Sequence, residues 1–173
     1  MEKYIPDIYQ KSIFTINYKS LKSQGIRCLL FDLDNTIAPL NVPIPSHTVK
    51  DLFAYLEGLK FKVILLSNSG KSRVTPFKEQ LNIDASFHSG KPRRNKYQKI
   101  LSMYHMEVHE VAAIGDQIFT DVWGANRMGL TSILVNPISN KDHFITLLNR
   151  IFERKLYRKL ENKGILKRGS YYE

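Results

Sequence analysis

The sequence has very little cysteine and no long apolar run. Its 173 residues include one cysteine, Cys28, which excludes an internal disulfide and a paired-cysteine metal site. No apolar run approaches the ~18 residues that a membrane-spanning helix needs, and residues 1–20 lack the continuous apolar segment of a secretory signal. We therefore expect a cytoplasmic protein. Peripheral attachment to a membrane is the alternative.

Acidic residues are also scarce. The chain carries 26 lysines and arginines against 16 aspartates and glutamates, which gives a formal net charge of +10. Such an excess favours anionic partners, which include phosphate groups, nucleic acid and acidic membrane surfaces. A basic surface that contacts only solvent is the alternative.

Apolar runs alternate with helical patterns along the chain, which predicts an α/β fold. Strands buried on both faces of a parallel sheet have continuous apolar sequences, and CLLF, KVILL and VAAIG are such sequences. We predict one domain over residues 1–173, with a doubly wound parallel sheet in a core of about residues 20–140. Residues 1–19 fit no template. A further helix is predicted over about 141–163, with one apolar and one basic face.

Polar and charged residues follow four of the predicted strands. In chain order they are Asp32, Asp34, Ser67, Asn68, Lys91, Asp116 and Asp121. Each alone has an ordinary explanation as a turn or a helix cap. Because ligands of open α/β sheets bind outside the carboxyl ends of the strands, we expect these side chains to converge on one crevice.

The chemistry of this set is phosphoryl transfer with a divalent ion. Hard carboxylate oxygens suit Mg²⁺, which also neutralises clustered acids. One aspartate can attack phosphorus and form an aspartyl-phosphate, and a second can serve as general acid and then general base. The hydroxyl, backbone N–H groups and ammonium can hold the phosphoryl oxygens where negative charge develops.

Four segments, DLDNT, LLSN, GKP and GDQIFTD, resemble in this order the motifs of the haloacid-dehalogenase-like (HAD) phosphohydrolase superfamily. The longer segments FDLDNT and GDQIFTDVWGANRMG resemble the YqeG-type, phosphatidylglycerophosphatase-like branch of HAD subclass III. This resemblance covers about residues 20–155. It implies a HAD-like three-layer α/β/α fold and a Mg²⁺-dependent phosphatase.

The resemblance also implies a role for each matching aspartate. Asp32 would be the nucleophile and a Mg²⁺ ligand. Asp34 would be the general acid and base, and would offer its backbone carbonyl to the metal. Asp116 would bind the metal directly, and Asp121 directly or through water.

Four further positions would form the phosphate-binding group of such a site. Ser67 would contact the transferring phosphoryl group, and Lys91 would neutralise both that group and the nucleophile. Thr36 and Asn68 would steady the loops beside them. With Asp32 and Asp34, the resemblance makes Ser67 and Lys91 the catalytic residues.

HAD phosphatases often carry an inserted cap domain, and this chain has no room for one. The segments between Thr36 and Val63 and between Ser69 and Lys91 each hold about one helix. A capless, open site suits a phosphate displayed on something large, and the resemblance implies phosphatidylglycerophosphate, whose hydrolysis gives phosphatidylglycerol. A nucleotide, sugar phosphate or phosphoprotein substrate is the second hypothesis. A basic binding protein for RNA or a protein partner is the third, although no RNA-binding motif occurs and no nucleic-acid partner is predicted.

The predicted C-terminal helix leaves two readings open. Between Arg150 and Arg168, eight basic residues face two acidic ones. A cationic amphipathic helix can lie on an anionic membrane beside a lipid head group. Alternatively, its apolar face packs against the sheet of its own domain and its basic face contacts solvent.

Overall fold

The centre of the fold is a six-stranded sheet in which all strands are parallel. A computed structural model describes residues 1–139 and 144–173. The strands lie in the order β1-β6-β5-β2-β3-β4. Their bounds are β1 Ile8–Gln10, β2 Cys28–Phe31, β3 Lys62–Leu66, β4 Asp84–Ser86, β5 Val111–Gly115 and β6 Thr131–Val135. The predicted parallel α/β architecture is therefore confirmed.

Helices cover both faces of this sheet. Their bounds are α1 Tyr18–Ser23, α2 His47–Gly58, α3 Lys71–Leu81, α4 Asn95–Tyr104, α5 Trp123–Asn126 and α6 Phe144–Asn162. Successive side chains of β2 point to opposite faces: Leu29 and Phe31 pack with residues of α2 and α3, whereas Cys28 and Leu30 pack with residues of α4 and α5. The result is the expected three-layer α/β/α arrangement.

The strand order reverses direction at β2. From β2 the chain moves to β3 and β4 on one side, and then returns to place β5 on the other side. The carboxyl ends of β2 and β5 therefore border the switch point, where open α/β sheets form their binding crevice. No domain is inserted beside it, because residues 32–46 lead directly into α2 and residues 67–70 into α3.

The first nineteen residues, which fit no sequence template, belong to this sheet. Strand β1 pairs in parallel with β6, so the sheet begins at Ile8, ahead of the core start predicted near residue 20. Near the end of the described chain, Tyr172 forms an antiparallel bridge with Tyr9 through two backbone hydrogen bonds of 2.9 Å. The C-terminus thereby covers an otherwise open sheet edge.

The second half of α6 docks on the domain. Leu160 is fully buried among Ile118, Val122 and Leu134, and Leu166 beyond the helix joins the same cluster. The side chains of residues 140–151, including the predicted helix start at Lys141, lie outside the described residues. Among the described residues, no helix is both long and apolar enough to cross a membrane.

Truncation of Leu160 tests the docking of α6. Leu160→Ala removes a fully buried side chain and is expected to lower the free energy of unfolding by about 2–5 kcal/mol. Phe152→Ala on the same helix is the matched control, because Phe152 is 60% exposed and its loss is expected to cost under about 0.5 kcal/mol. Urea unfolding measures both, and equal small effects would show that α6 does not pack on the domain.

Candidate active site

Lys91 forms the centre of a buried ionic cluster at the carboxyl end of the sheet. Its Nζ lies 2.7 Å from Oδ1 of Asp32, the residue after β2, and 2.6 Å from Oδ1 of Asp121. All three side chains are buried. A buried ion pair needs close geometry to offset desolvation, and this lysine has two such contacts.

Asn68 holds the backbone at Lys91. Its side-chain amide donates to the Lys91 carbonyl at 3.2 Å, and its Oδ1 accepts from the Lys91 N–H at 2.8 Å. These reciprocal bonds join the loop after β3 to the loop after β4. The geometry gives Asn68 a positioning function for Lys91, consistent with the expectation that it steadies a loop.

Three carboxylates meet beside Lys91. Asp32, Asp116 and Asp121 each offer an oxygen, and these oxygens lie within 4.8 Å of one another. The Thr36 hydroxyl lies 3.2 Å from Asp116 Oδ1 and 3.4 Å from Asp32 Oδ2. With all three carboxylates ionised, as a bound cation would favour, the cluster and Lys91 would carry a net charge of −2, which fits a divalent cation with hard oxygen preference.

A glycine makes room for Asp121. If Gly115 carried a Cβ, that atom would lie 2.2 Å from Cγ of Asp121, a separation that real side chains do not adopt. Asp121 lies in a π-helical turn, Ile118–Val122. Its Oδ2 accepts from the Gln117 N–H at 3.1 Å. A residue larger than glycine at position 115 would therefore collide with the Asp121 side chain. The sequence, in which Gly115 simply precedes Asp116, gives no sign of this requirement.

Asp34 lies apart from the three-carboxylate cluster. Its Oδ1 accepts from Nε of Arg73 at 2.8 Å, and its Oδ2 accepts from the Ser69 hydroxyl. Arg73 also donates to the carbonyls of Pro39 and Val42, which fixes the loop after β2. The two aspartates predicted for different roles therefore have different surroundings, one beside a buried lysine and one beside a partly exposed arginine.

Ser67 lies directly after β3 and is buried. Its Oγ accepts from the Ser69 N–H at 3.0 Å, and its own N–H donates to the Ser86 carbonyl at 3.0 Å. Among residues 1–139 and 144–173, the hydroxyl of Ser67 has no hydrogen-bond acceptor. All eight sequence-predicted site residues therefore lie at the same end of the sheet.

Three residues that support the site were not predicted. Ser69 and Arg73 bind Asp34, as described above. Glu153 of α6 is buried and accepts a 3.1 Å hydrogen bond from the N–H of Phe119, inside the turn that carries Asp121. No local motif marks Arg73 or Glu153, because each meets its partner across more than thirty residues of chain.

Burial governs the protonation of the cluster. It raises the pKa of Asp32 to about 8, against the opposing effect of Lys91, and the neighbouring Asp121 and Asp116 raise that pKa further. Burial alone would lower the pKa of Lys91, but Asp121 and Asp32 outweigh it and raise that pKa above its ordinary value. Lys91 is therefore a permanent cation in this site.

Comparison with known families and proteins identifies relatives of this chain. The HAD-hydrolase-like family model matches residues 88–138, which include Lys91, Asp116 and Asp121. The probable phosphatase YqeG of Bacillus subtilis is 33% identical over 161 residues, which cover 93% of this chain and 94% of that protein.

A plant protein is a more distant relative. The phosphatidylglycerophosphate phosphatase 1 (chloroplastic/mitochondrial) of Arabidopsis thaliana is 25% identical over 93% of this chain. The chain spans only 49% of the length of that enzyme.

A solved structure supports the fold. The putative HAD superfamily (subfamily III A) hydrolase of Legionella pneumophila superposes with a TM-score of 0.51, at 19% identity, over 71% of this chain and 75% of that one. At this level of identity, the likeness concerns the fold alone.

Metal binding is expected to stabilise the folded chain. At a Mg²⁺ concentration ~100 times the dissociation constant, binding contributes about 2.7 kcal/mol, or roughly 5–10 °C in melting temperature for a domain of this size. Asp116→Asn is expected to abolish most of this shift, whereas Asp51→Asn, on the exposed side of α2, retains it. Thermal melts with Mg²⁺ and with EDTA measure it, and an unchanged shift in Asp116→Asn would contradict the metal site.

Without metal, stability is expected to fall as the pH rises. The folded chain keeps a proton on Asp32 up to about pH 8, whereas the unfolded chain loses it near the ordinary value of 3.8. Between these values the folded state binds more protons, so the free energy of unfolding decreases with pH. Urea unfolding in EDTA across this range measures the slope. Asp32→Asn is expected to flatten it, and parallel curves for both proteins would contradict the burial effect.

Proposed function

This chain belongs to the YqeG-type branch of the HAD-like phosphatases, and we propose that it removes the phosphate of phosphatidylglycerophosphate to give phosphatidylglycerol. The observation that carries the phosphatase chemistry is the buried cluster in which Lys91 bridges Asp32 and Asp121 beside Asp116. The same cluster fits a divalent metal, and we propose Mg²⁺.

In the first step, a carboxylate oxygen of Asp32 attacks the phosphorus. The bond between phosphorus and the ester oxygen breaks, and Asp34 gives a proton to the departing alkoxide. The product alcohol leaves, and an aspartyl-phosphate remains on Asp32. Lys91 and the Ser67 hydroxyl contact the non-bridging phosphoryl oxygens and stabilise the charge that develops on them.

In the second step, Asp34 takes a proton from a water molecule, and that water attacks the phosphorus. The bond between Asp32 and phosphorus breaks, which releases inorganic phosphate and restores the free carboxylate. Arg73 and Ser69 hold the Asp34 carboxylate in place for both transfers. Two aspartates with separate partners can thus perform separate tasks.

The bound metal would be held by Asp32, Asp116 and the backbone carbonyl of Asp34. It supplies positive charge that neutralises the carboxylates and the phosphoryl group. Asp121 belongs to the same cluster, where its oxygens accept hydrogen bonds from Lys91 and from the Gln117 N–H. It would contact the metal directly or through water.

Three observations support a lipid substrate. The Arabidopsis relative, a phosphatidylglycerophosphate phosphatase, matches over 93% of this chain. The crevice has no cap, so a head group that stays in a membrane can reach it. The net charge of +10 favours an anionic surface.

Substitution of the proposed nucleophile tests the chemistry. Asp32→Asn keeps the size of the side chain but cannot form an aspartyl-phosphate. Hydrolysis of a generic aryl phosphate with Mg²⁺ is expected to fall by roughly a thousandfold or more, whereas Asp51→Asn retains the wild-type rate. Absence of turnover by the wild-type protein on every phosphomonoester tried would contradict the enzymatic function.

A substrate panel tests the lipid assignment. Phosphatidylglycerophosphate in mixed vesicles is expected to be cleaved faster than glycerol phosphates in solution, nucleotides or sugar phosphates at equal phosphate concentration. The ratio of kcat/KM values measures this preference. Equal or reversed rates would refute the lipid substrate while leaving the aspartyl-phosphate mechanism intact.

A further inference from the structure

Exposed apolar side chains lie on three loops at the carboxyl end of the sheet. Ile44 is 47% exposed on the loop after β2, Phe87 is 40% exposed directly after β4, and Ile138 is 47% exposed after β6. All three loops leave the carboxyl ends of parallel strands, so they project from the same end of the molecule as Asp32. The Phe87 ring also packs edge-on against His88, at 5.8 Å between ring centroids, but all three side chains keep 40% or more of their area exposed.

Hydrogen bonds join neighbouring loops at this end of the sheet. The Ile138 N–H donates to the carbonyl of Asn35, in the loop that continues to Ile44, at 2.9 Å. The N–H of His88, next to Phe87, donates to the Ser69 carbonyl at 2.9 Å. At about 4.8 Å per strand, the five strands from β6 to β4 place the outer loops roughly 20 Å apart. The surface is therefore wide enough to meet a flat partner.

Basic residues lie between the apolar ones. Lys71 begins α3, and Arg93 and Arg94 follow Lys91; all three are exposed, and none forms an ion pair among the described residues. Apart from the four site aspartates, the described residues of the loops at this end contain no acid. Those loops are 11–17, 35–46, 67–70, 87–94, 117–120 and 136–139.

We propose that this surface, the loop rim, seats the protein on an anionic lipid bilayer with the catalytic crevice facing the head groups. The loop rim consists of Ile44, Lys71, Phe87, Arg93, Arg94 and Ile138. This inference rests on the proposed lipid substrate and names the surface that reaches it. Basic side chains attract anionic head groups, while the isoleucine and phenylalanine side chains enter the interfacial layer.

A bilayer fits the loop rim better than the other anionic partners. Nucleic acid would use the arginines but would leave the aliphatic Ile44 and Ile138 exposed to water, since aliphatic side chains offer no stacking surface to bases. A bilayer accepts both kinds of side chain at once. Docking by the loop rim also brings the head group to Lys91, which is only two residues from Arg93.

The basic face of α6 is the competing membrane contact. Arg154, Lys155, Arg158 and Lys159 are exposed there, but the apolar Leu160 of the same helix is buried against the domain. Among the described side chains of α6, Phe152 is the one large apolar group that is exposed, so this part of the helix offers one side chain for insertion rather than an apolar stripe. Basic residues with one apolar side chain would give weaker attraction than the three apolar side chains of the loop rim.

Co-sedimentation with vesicles tests the loop rim. Full-length protein is mixed with vesicles of phosphatidylserine and phosphatidylcholine, which offer anionic charge without the proposed substrate, and with vesicles of phosphatidylcholine alone. The rim variants are Arg93→Gln/Arg94→Gln and Phe87→Ser/Ile138→Ser. The controls are Lys155→Gln/Lys159→Gln on α6 and Val108→Ser, since Val108 is 38% exposed and lies shortly before β5, at the opposite end of the sheet. Thermal melting verifies that each variant is folded.

The wild-type protein is expected to bind anionic vesicles and not neutral ones. Each arginine removed is expected to weaken binding about fivefold, so the double variant loses roughly 25-fold. The serine variant is expected to lose binding as well, whereas both controls stay within about twofold of the wild type. For each variant, the rate of cleavage of vesicle-bound phosphatidylglycerophosphate is divided by its rate of aryl phosphate hydrolysis. This ratio is expected to fall in the rim variants together with their vesicle binding.

Three results would contradict membrane binding by the loop rim. In the first, the wild type binds anionic vesicles no more strongly than neutral ones. In the second, the α6 variant loses as much vesicle binding as the rim variants, or more, and in the third, the rim variants bind vesicles as the wild type does. Tighter binding of single-stranded RNA than of anionic vesicles would replace the membrane with a nucleic-acid partner. Aryl phosphate hydrolysis by the wild type reports separately on the phosphatase, so its failure is distinguishable from failure of the loop rim.

Discussion

The structure depends on one buried ammonium group. Lys91 holds Asp32 and Asp121 together where three carboxylates would otherwise repel one another in a low-dielectric environment. Much of the surrounding architecture serves this contact: Asn68 fixes the lysine backbone, and Gly115 leaves the space that Asp121 occupies. The parallel sheet provides the rigid frame, because its strand ends bring four loops to one crevice.

The same arrangement explains why the site can stay open. A capped phosphatase isolates its substrate by closing a domain over it, and residues 1–139 and 144–173 form no such domain. Its reacting groups are instead buried at the base of the crevice, while the loops around them carry basic and apolar side chains. The proposed chemistry and the proposed recognition thus fall to a buried cluster and to an exposed surface, an arrangement suited to a substrate that remains in a membrane.

Sequence alone could predict the central strands, which are local apolar runs, and the site residues, which follow those strands in a fixed order along the chain. Asp32, Ser67, Lys91 and Asp116 follow recognisable strands, so their convergence follows from parallel topology. Strand β1 escaped prediction because three residues at a sheet edge show no periodicity. Arg73 and Glu153 escaped because their partners are distant in the chain, and the inward orientation of Leu160 depends on tertiary packing that periodicity cannot specify.

The central claim is that Asp32 forms a covalent bond to phosphorus. Rapid mixing of the enzyme with Mg²⁺ and an aryl phosphate, acid quenching and peptide mass spectrometry test this claim directly. The account predicts one phosphoryl group on the peptide that contains Asp32, present early in the reaction and absent from Asp32→Asn. A phosphoryl group on another residue, or turnover by the wild type with no phosphorylated peptide at any quench time, would contradict it.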